Sequence, residues 1–383
     1  MKHGLIAASL LSAALMAQPA LAAAPDLPKT IAWSAYDVGS GGYNQAVAIG
    51  SAFKNRYGVN LRIIPGKNDV SRLLPLKAGR LDYVANGTGS YMAQEGLFEF
   101  GAEAWGPQPM RLLMTNISNQ GLALMAAADS GVKTIADLKG KRVAWVVGAP
   151  ALNENVSALL AFANLTWKDV EKVEFGGYGA SLDGIVGGQA DVGFSVTVSG
   201  KAYELEKSPR GLVWPVVPKA DTAGWERVYA HAPYFVPVYA TEGAGLSKEK
   251  GVETSGYPYP ILHTMADRSA DEVYAMVHAV VDAYPDYKDS APGASGWAIA
   301  NQNFEWVIPY HEGAIRFFKE KGLWNEAHQK HNDKLIERQS VLIKAWKGLS
   351  GQGADPKAHM AAWQKARADA LRAAGYDVTI ESW

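Results

Sequence analysis

The sequence predicts an α/β protein of two lobes, each carrying a mainly parallel sheet, joined by a hinge and followed by a helical C-terminal extension. Three observations predict it. Strand-like and helix-like patterns alternate along the chain, the mark of βαβ units. The order strand, polar loop, helix, strand, helix, strand, polar loop occurs twice, over residues 30–90 and again over 142–199. Short strings recur at matching places: Ile31-Ala32-Trp33 corresponds to Val143-Ala144-Trp145, and Gly79-x-x-Asp82 to Gly188-x-x-Asp191.

Residues 1–22 read as a secretory signal. Lys2 is the only charged residue before Asp26, residues 5–16 are apolar, and Ala20-Leu21-Ala22 has the small-x-small pattern of a cleavage site. The apolar stretch is shorter than the roughly 20 residues that span a bilayer. A periplasmic protein cleaved near Ala22 is expected. Lobe 1 is expected over 23–120 plus 241–302, lobe 2 over 121–240, and a helical segment packed on the lobes over 303–383.

In the first pass, residues 30–36 form a buried strand running into Gly39-Ser40-Gly41-Gly42. A helix from Tyr43 ends at Gly58, a good C-cap residue. Residues 59–64 alternate as a second strand. A helix over 70–78, kinked at Pro75, leads to a strand at 81–85 and the loop 86–90. In the second pass, a strand over 142–147, a loop over 148–153 and a helix over 154–164 precede a strand over 170–175. A short helix at 181–187 and a strand at 191–195 open into the loop 196–199. The apolar runs 111–116 and 121–126 are candidate outbound hinge strands, and 229–239 the candidate return. Ser269-x-x-Glu272 has capping-box spacing, and Val273, Met276, Val277, Val280, Val281 and Tyr284 make one apolar helical stripe after it. Trp363, Ala366 and Ala370 give the last helix a narrow apolar face.

Composition narrows the function. The chain has 383 residues, 37 Lys plus Arg against 38 Asp plus Glu, and no cysteine. Near-balanced charge argues against nucleic acid and anionic membrane surfaces as partners. Without cysteine there is no lipid-modified cysteine anchor and no disulfide. The 12 Trp and 17 Tyr suit pockets where small molecules stack.

In open α/β sheets ligands sit beyond the carboxyl ends of the strands. Those positions are the loops 37–44, 86–90, 149–155 and 196–199. The candidate ligand contacts are Tyr36, Asp37, Ser40, Tyr43, Asn86 and Thr88 from the first lobe, and Asn153, Glu154, Asn155, Thr197 and Ser199 from the second. Asp37 and Glu154 have two readings, helix N-terminal capping or contact with an ammonium or hydroxyl. Two helix N-termini facing one cleft favour a carboxylate or another anion. Gly39-Ser40-Gly41 is not a nucleophile elbow, and no histidine follows His311-Glu312 at metalloprotease spacing. His328 and His331, three apart, lack further ligands. Neither a dinucleotide fingerprint nor a phosphate loop is present, so no enzyme, cofactor or metal is expected.

Three stretches resemble the TAXI-type solute-binding subunits of tripartite ATP-independent periplasmic (TRAP) transporters: Ile31 to Tyr43, with Gly39-Ser40 and Tyr43; Leu76-Lys77-Ala78-Gly79-Arg80-Leu81-Asp82; and Thr134 to Val143. The resemblance implies a type II periplasmic-binding-protein fold, a small, carboxylated solute such as an organic acid or amino acid, and delivery to the membrane subunits of an ion-driven transporter. It implies that Ser40, Tyr43 and Thr88 lie among the ligand-binding loop residues, and a monomer is expected. This chain departs from the family at Ser34-Ala35-Tyr36, where Gly-Thr-Gly is usual, and at Ala151-Leu152-Asn153-Glu154, where Gly-Ser-Gly-Thr is usual. The alternatives are a binding protein of an ATP-driven (ABC) importer and, less favoured, a periplasmic enzyme.

Overall fold

The computed structural model describes residues 25–349 and 355–383; the expected signal segment 1–22 lies outside the described residues. Strands β1 (Thr30–Ala35), β2 (Asn60–Pro65) and β3 (Tyr83–Asn86) run parallel and are linked by α1 (Gly41–Tyr57) and α2 (Asp69–Lys77). α3 (Gly89–Glu95) leads to β4 (Met110–Met114), and the chain crosses to β5 (Leu122–Ala127). The second lobe repeats the plan. β6 (Arg142–Val146), β7 (Glu171–Phe175) and β8 (Val192–Val196) are parallel, linked by α4 (Pro150–Phe162) and α5 (Tyr178–Val186). α6 (Gly200–Lys207), β9 (Leu212–Val213), α7 (Thr222–His231) and a ribbon of β10 (Val236–Ala240) and β11 (Val252–Gly256) complete it. β12 (Ile261–Met265) returns to the first sheet, followed by α8 (Ala270–Asp282), α9 (Tyr284–Tyr287), α10 (Glu312–Glu320), α11 (Glu326–Lys347) and α12 (Pro356–Ala373).

The two sheets have equivalent orders, β2-β1-β3-β12-β4 and β7-β6-β8-β5-β9. In each, the fourth strand arrives from the other lobe and pairs antiparallel with its neighbours, while the other four run the same way, so each mainly parallel sheet carries one reversed strand. This is the type II periplasmic-binding-protein fold. The repeated Gly-x-x-Asp strings have one physical job in both lobes. Gly79 and Gly188 take left-handed backbone at φ +65° and +80°, which favours glycine. The aspartate three residues on then reaches the first strand: Asp82 Oδ2 accepts from Ala32 N at 3.2 Å, and Asp191 Oδ2 from Arg142 N at 3.1 Å.

Several boundaries move. α4 begins at Pro150, so residues 150–153 are helical rather than loop; proline has no N–H to lose at a helix start and its φ is preset for one. α5 begins earlier than expected, at Tyr178, after the turn at Gly176-Gly177. Ser269 stands at the N-cap of α8, but its side chain makes no capping bond. The stripe on that helix is buried at Val273, Met276, Val277 and Val280 and half-buried at Val281 and Tyr284.

The chain crosses between the lobes twice, at residues 115–121 and 257–260. The crossings lie side by side, with Tyr259 N donating to Asn116 O at 2.8 Å. The return is therefore not in 229–239. β10, which lies there, pairs with β11, and a lobe boundary at 240 would separate these hydrogen-bonded strands.

α11 and α12 pack on lobe 1 through tryptophans seated on glycines. Trp363 Nε1 donates to Gly96 O at 2.6 Å. A Cβ at Gly96 or Gly101 would come within about 3 Å of the Trp363 ring, and one at Gly106 within 2.5 Å of Trp346. The buried stripe of α12 is His359, Trp363, Arg367 and Leu371; Ala366 and Ala370 are only half-buried. Among the described residues no helix is long and apolar enough to cross a membrane.

Candidate functional site

The polar loops at the strand ends of both lobes meet. Gly200 N donates to Gly39 O at 3.1 Å, and Tyr178 N to Lys67 O at 2.8 Å. Gly179 N donates to Asp37 Oδ2 at 2.9 Å, Asn68 Nδ2 to Val147 O at 3.1 Å, and Ala151 N to Asp69 Oδ2 at 2.9 Å. Each bond joins a residue of one lobe to a residue of the other, so the lobes are closed on each other.

Tyrosines fill the centre. The Tyr36 ring lies 5.4 Å from that of Tyr259 and 6.0 Å from that of Tyr178, both edge-on. Tyr257 lies 5.7 Å from Tyr234. Burial pushes the phenols of Tyr36, Tyr178, Tyr234, Tyr257 and Tyr259 above their ordinary value, so all five keep their protons and can donate. The glycines of the first-lobe loops make room for these rings. A Cβ on Gly87 would stand 2.7 Å from the Tyr36 hydroxyl, and one on Gly42 2.9 Å from that of Tyr259.

One buried ion pair lies beneath the rings. Arg72, on α2, carries its guanidinium 3.8 Å over the Tyr36 ring. It donates to Gly66 O and Asn86 Oδ1, each at 3.1 Å, and to Asp69 Oδ1. Arg72 and Asp69 have no exposed side-chain surface. Burial raises the Asp69 carboxyl above its ordinary value, against the pull of Arg72 and the Ala151 N–H.

The structure sorts the candidate residues. Tyr36, Asn86, Thr88 and Asn155 come together at the centre. Asn155 is held between Tyr234, whose hydroxyl donates to its Oδ1 at 2.8 Å, and Tyr257, to whose oxygen its Nδ2 donates at 3.3 Å. Its Nδ2 also lies 3.5 Å from Thr88 Oγ1 across the cleft. Asn86 Nδ2 donates to Ser90 Oγ at 3.0 Å. Ser199 stands at the N-cap of α6 without a side-chain capping bond, and its hydroxyl is buried. Asp37 joins the lobes as described. Ser40 caps α1, accepting from Tyr43 N at 3.3 Å, and Tyr43 itself is half-buried.

Three residues are used elsewhere. Asn153 folds back on its own lobe, accepting from Val146 N and donating to Val146 O, both at 2.9 Å. Glu154 pairs with His231 on α7 at 2.7 Å, and that bond holds the imidazole above its ordinary pKa. Thr197 serves the crossing, accepting from Gly121 N at 2.9 Å and donating to Glu242 O at 2.6 Å. The residues not foreseen are Asp69, Arg72, Tyr178, Tyr234, Tyr257 and Tyr259. The run Tyr257-Pro-Tyr259-Pro was the available signal; nothing in the pattern of α2 marked Arg72.

Two anion-attracting features are occupied. The N–H of Ala151 at the start of α4, and the Arg72 guanidinium, both point at Asp69, which opposes the expectation of a carboxylated ligand. Among the described residues no group of three or more His, Cys, Asp or Glu is placed to hold a metal ion.

Comparison with solved structures finds similarity to a protein from Bordetella bronchiseptica RB50, 16% identical over 80% of this chain and 98% of that one, with a TM-score of 0.44. An ancestral arginine-binding protein bound to arginine is 14% identical over 81% and 99%, with a TM-score of 0.41. The alkanesulfonate-binding protein of Xanthomonas axonopodis pv. citri, bound to MOPS, is 14% identical over 92% and 94%, with a TM-score of 0.39. No curated protein matches the chain in sequence. In sequence, residues 41–322, which span most of both sheets and both crossings, match the NMT1-like family, and the chain belongs to it.

Proposed function

We propose that this protein is a periplasmic, monomeric solute-binding protein that captures a small molecule between its lobes and hands it to the membrane subunits of an ABC importer. The observation that carries this reading is the buried centre between the lobes, where five protonated phenols, Thr88 and Asn155 converge from loops that sit at opposite strand ends. Two adjacent crossings give such lobes a hinge, and a ligand that prefers the closed form shifts the population toward it.

Delivery to a TRAP transporter is the weaker reading. It rests on the three resembling stretches, and the places where the chain departs from the TAXI pattern are built into the closed cleft. Tyr36 fills the space that the usual glycines would leave open, and residues 151–154 form the first turn of α4. An enzyme is disfavoured by the one nucleophile–base pair near the loops. Ser90 Oγ lies 2.7 Å from His263 Nε2, but both residues are buried, and burial pushes the imidazole down to about 3, leaving it a poor base.

Native mass spectrometry of freshly purified protein should show a retained small molecule, and adding it back to stripped protein should raise the melting temperature. Asn155→Ala removes the contacts to the Tyr234 and Tyr257 phenols and should weaken binding roughly 10- to 100-fold, on the scale of a lost buried hydrogen-bond network. Absence of any retained or stabilising solute would sink the reading. Reconstituted uptake driven by ATP separates the ABC partner from one driven by an ion gradient.

A further inference from the structure

We propose that Asp69 is the cleft's own anion, and that the solute admitted beside it is uncharged or cationic. The inference rests on the solute-binding reading and narrows its ligand class. It begins with α4, a helix of 13 residues whose N-terminus has no cap of its own. Ala149 at the N-cap makes no side-chain bond, Pro150 has no N–H, and the first turn holds no acidic residue. The partial positive charge of such an end draws an anion. Here the anion comes from the opposite lobe, because Asp69 Oδ2 accepts from Ala151 N.

The other oxygen of the same carboxylate takes the guanidinium of Arg72. Among the described residues buried where the lobes meet, Arg72 is the cation; Lys67 stands at the rim and is exposed. One side chain thus satisfies two features that would otherwise recognise a carboxylate or sulfonate, the start of α4 and the buried guanidinium, while the start of α1 has Ser40 as its own cap. An anionic solute entering this centre would meet a carboxylate and find no unpaired cation, and burying a charge without a partner is strongly unfavourable. The remaining groups suit a neutral or positive solute. The buried hydroxyls of Ser199 and Thr88 can turn to donate or accept, and the Tyr36, Tyr178 and Tyr259 rings offer π-faces.

The test is chemical rescue with acetate on the full chain. In Asp69→Ala the Ala151 N–H and Arg72 lose their partner, and acetate should refill the space. We expect acetate to raise the melting temperature of the variant saturably, by roughly 5 °C, beyond an equal concentration of chloride. Wild type should respond to both salts alike. If Asp69→Ala folds only when purified in acetate, removing the acetate by dialysis should unfold it, and chloride should not replace it. Asp69→Asn, which keeps the shape and an acceptor for Ala151 N, should show a weaker response in the same direction. Equal effects of acetate and chloride on the variants, or a wild type that acetate stabilises as strongly, would overturn the proposal. So would a carboxylate or sulfonate found as the retained solute of wild type. Rescue requires no solute, so its failure leaves solute capture standing, while failure to find a solute leaves a positive rescue standing.

Discussion

Glu95→Gln lowers the melting temperature by roughly 5 °C and frees the C-terminal helices from lobe 1. Glu95 ends α3 with no exposed side-chain surface and accepts from two arginines. Arg338 of α11 grips both carboxylate oxygens, at 2.8 and 2.7 Å, and Arg367 of α12 adds a bond at 2.7 Å. Removing the charge leaves two guanidiniums sharing one neutral amide, which costs about 3–5 kcal/mol, or roughly 5 °C in a protein of this size. Burial would raise the Glu95 carboxyl, but the bonds and charges of Arg338 and Arg367 outweigh it and hold the group below its ordinary value. A depressed folded-state pKa gives stability that is present above the unfolded value, roughly 4.3, and is lost as pH falls through the folded value. The gap between wild type and variant should therefore be full at pH 7 and close in acid. Thermal melts across pH measure it, with hydrogen exchange along α12 reporting release. A gap that does not change with pH would show that shape, not charge, holds the segment. The effect concerns function because α3 starts at Gly89, next to Thr88, so the C-terminal helices brace the ligand loop from behind.

What was legible in the sequence follows from local physics, and what was not follows from assembly. Residues 30–36 and 142–147 read as strands because buried parallel strands are apolar over short runs, and 59–64 because its apolar residues alternate; β1, β6 and β2 lie there. The Gly-x-x-Asp strings were visible as a repeat because each has to turn through left-handed backbone and then cap a strand. The loops at strand ends were visible for a similar reason, and Tyr36, Asn86, Thr88 and Asn155 do come together in them. Asn153 and Glu154 misled because polar residues after a glycine look like a loop, whereas Pro150 had already started a helix. Asp69 and Arg72 were hidden because charged residues on a short helix ordinarily face water. Here Arg72 is buried by Tyr36, Asn86 and Gly66, distant in sequence, and Asp69 by the opposite lobe as well. Tyr257 and Tyr259 come from a crossing far along the chain, so no local period could place them beside Tyr36. The transporter type is not legible for the same reason: the three resembling stretches encode turns and strand caps that the fold demands of many binding proteins.

Arg72→Ala should hold the lobes apart. In the closed form Arg72 is the group that neutralises Asp69, and its loss also strands Asn86 Oδ1 and Gly66 O. Leaving a buried carboxylate unpaired costs about 3–5 kcal/mol when nothing else gives way. Something can give way here. Asp69 lies where the lobes meet, so opening the hinge returns it to water and releases the Ala151 N–H as well. The loss of stability is then capped by the free energy that closure itself contributes, and the ensemble moves toward the open form. Small-angle scattering should show a larger radius of gyration than wild type, with a melting temperature lower by less than the full penalty implies. The pH dependence has a definite sign. The Asp69 carboxyl is already raised above its ordinary value by burial, and without Arg72 it rises further. A raised folded-state pKa gives stability that is present below the unfolded value, roughly 3.9, and is lost as pH rises through the folded value. The variant should accordingly close again as pH falls and Asp69 takes up a proton, while wild type, with the pair intact, changes less. A variant that scatters like wild type at neutral pH would mean that the tyrosine cluster alone keeps the lobes together, and that the Asp69–Arg72 pair only fills the space beneath it.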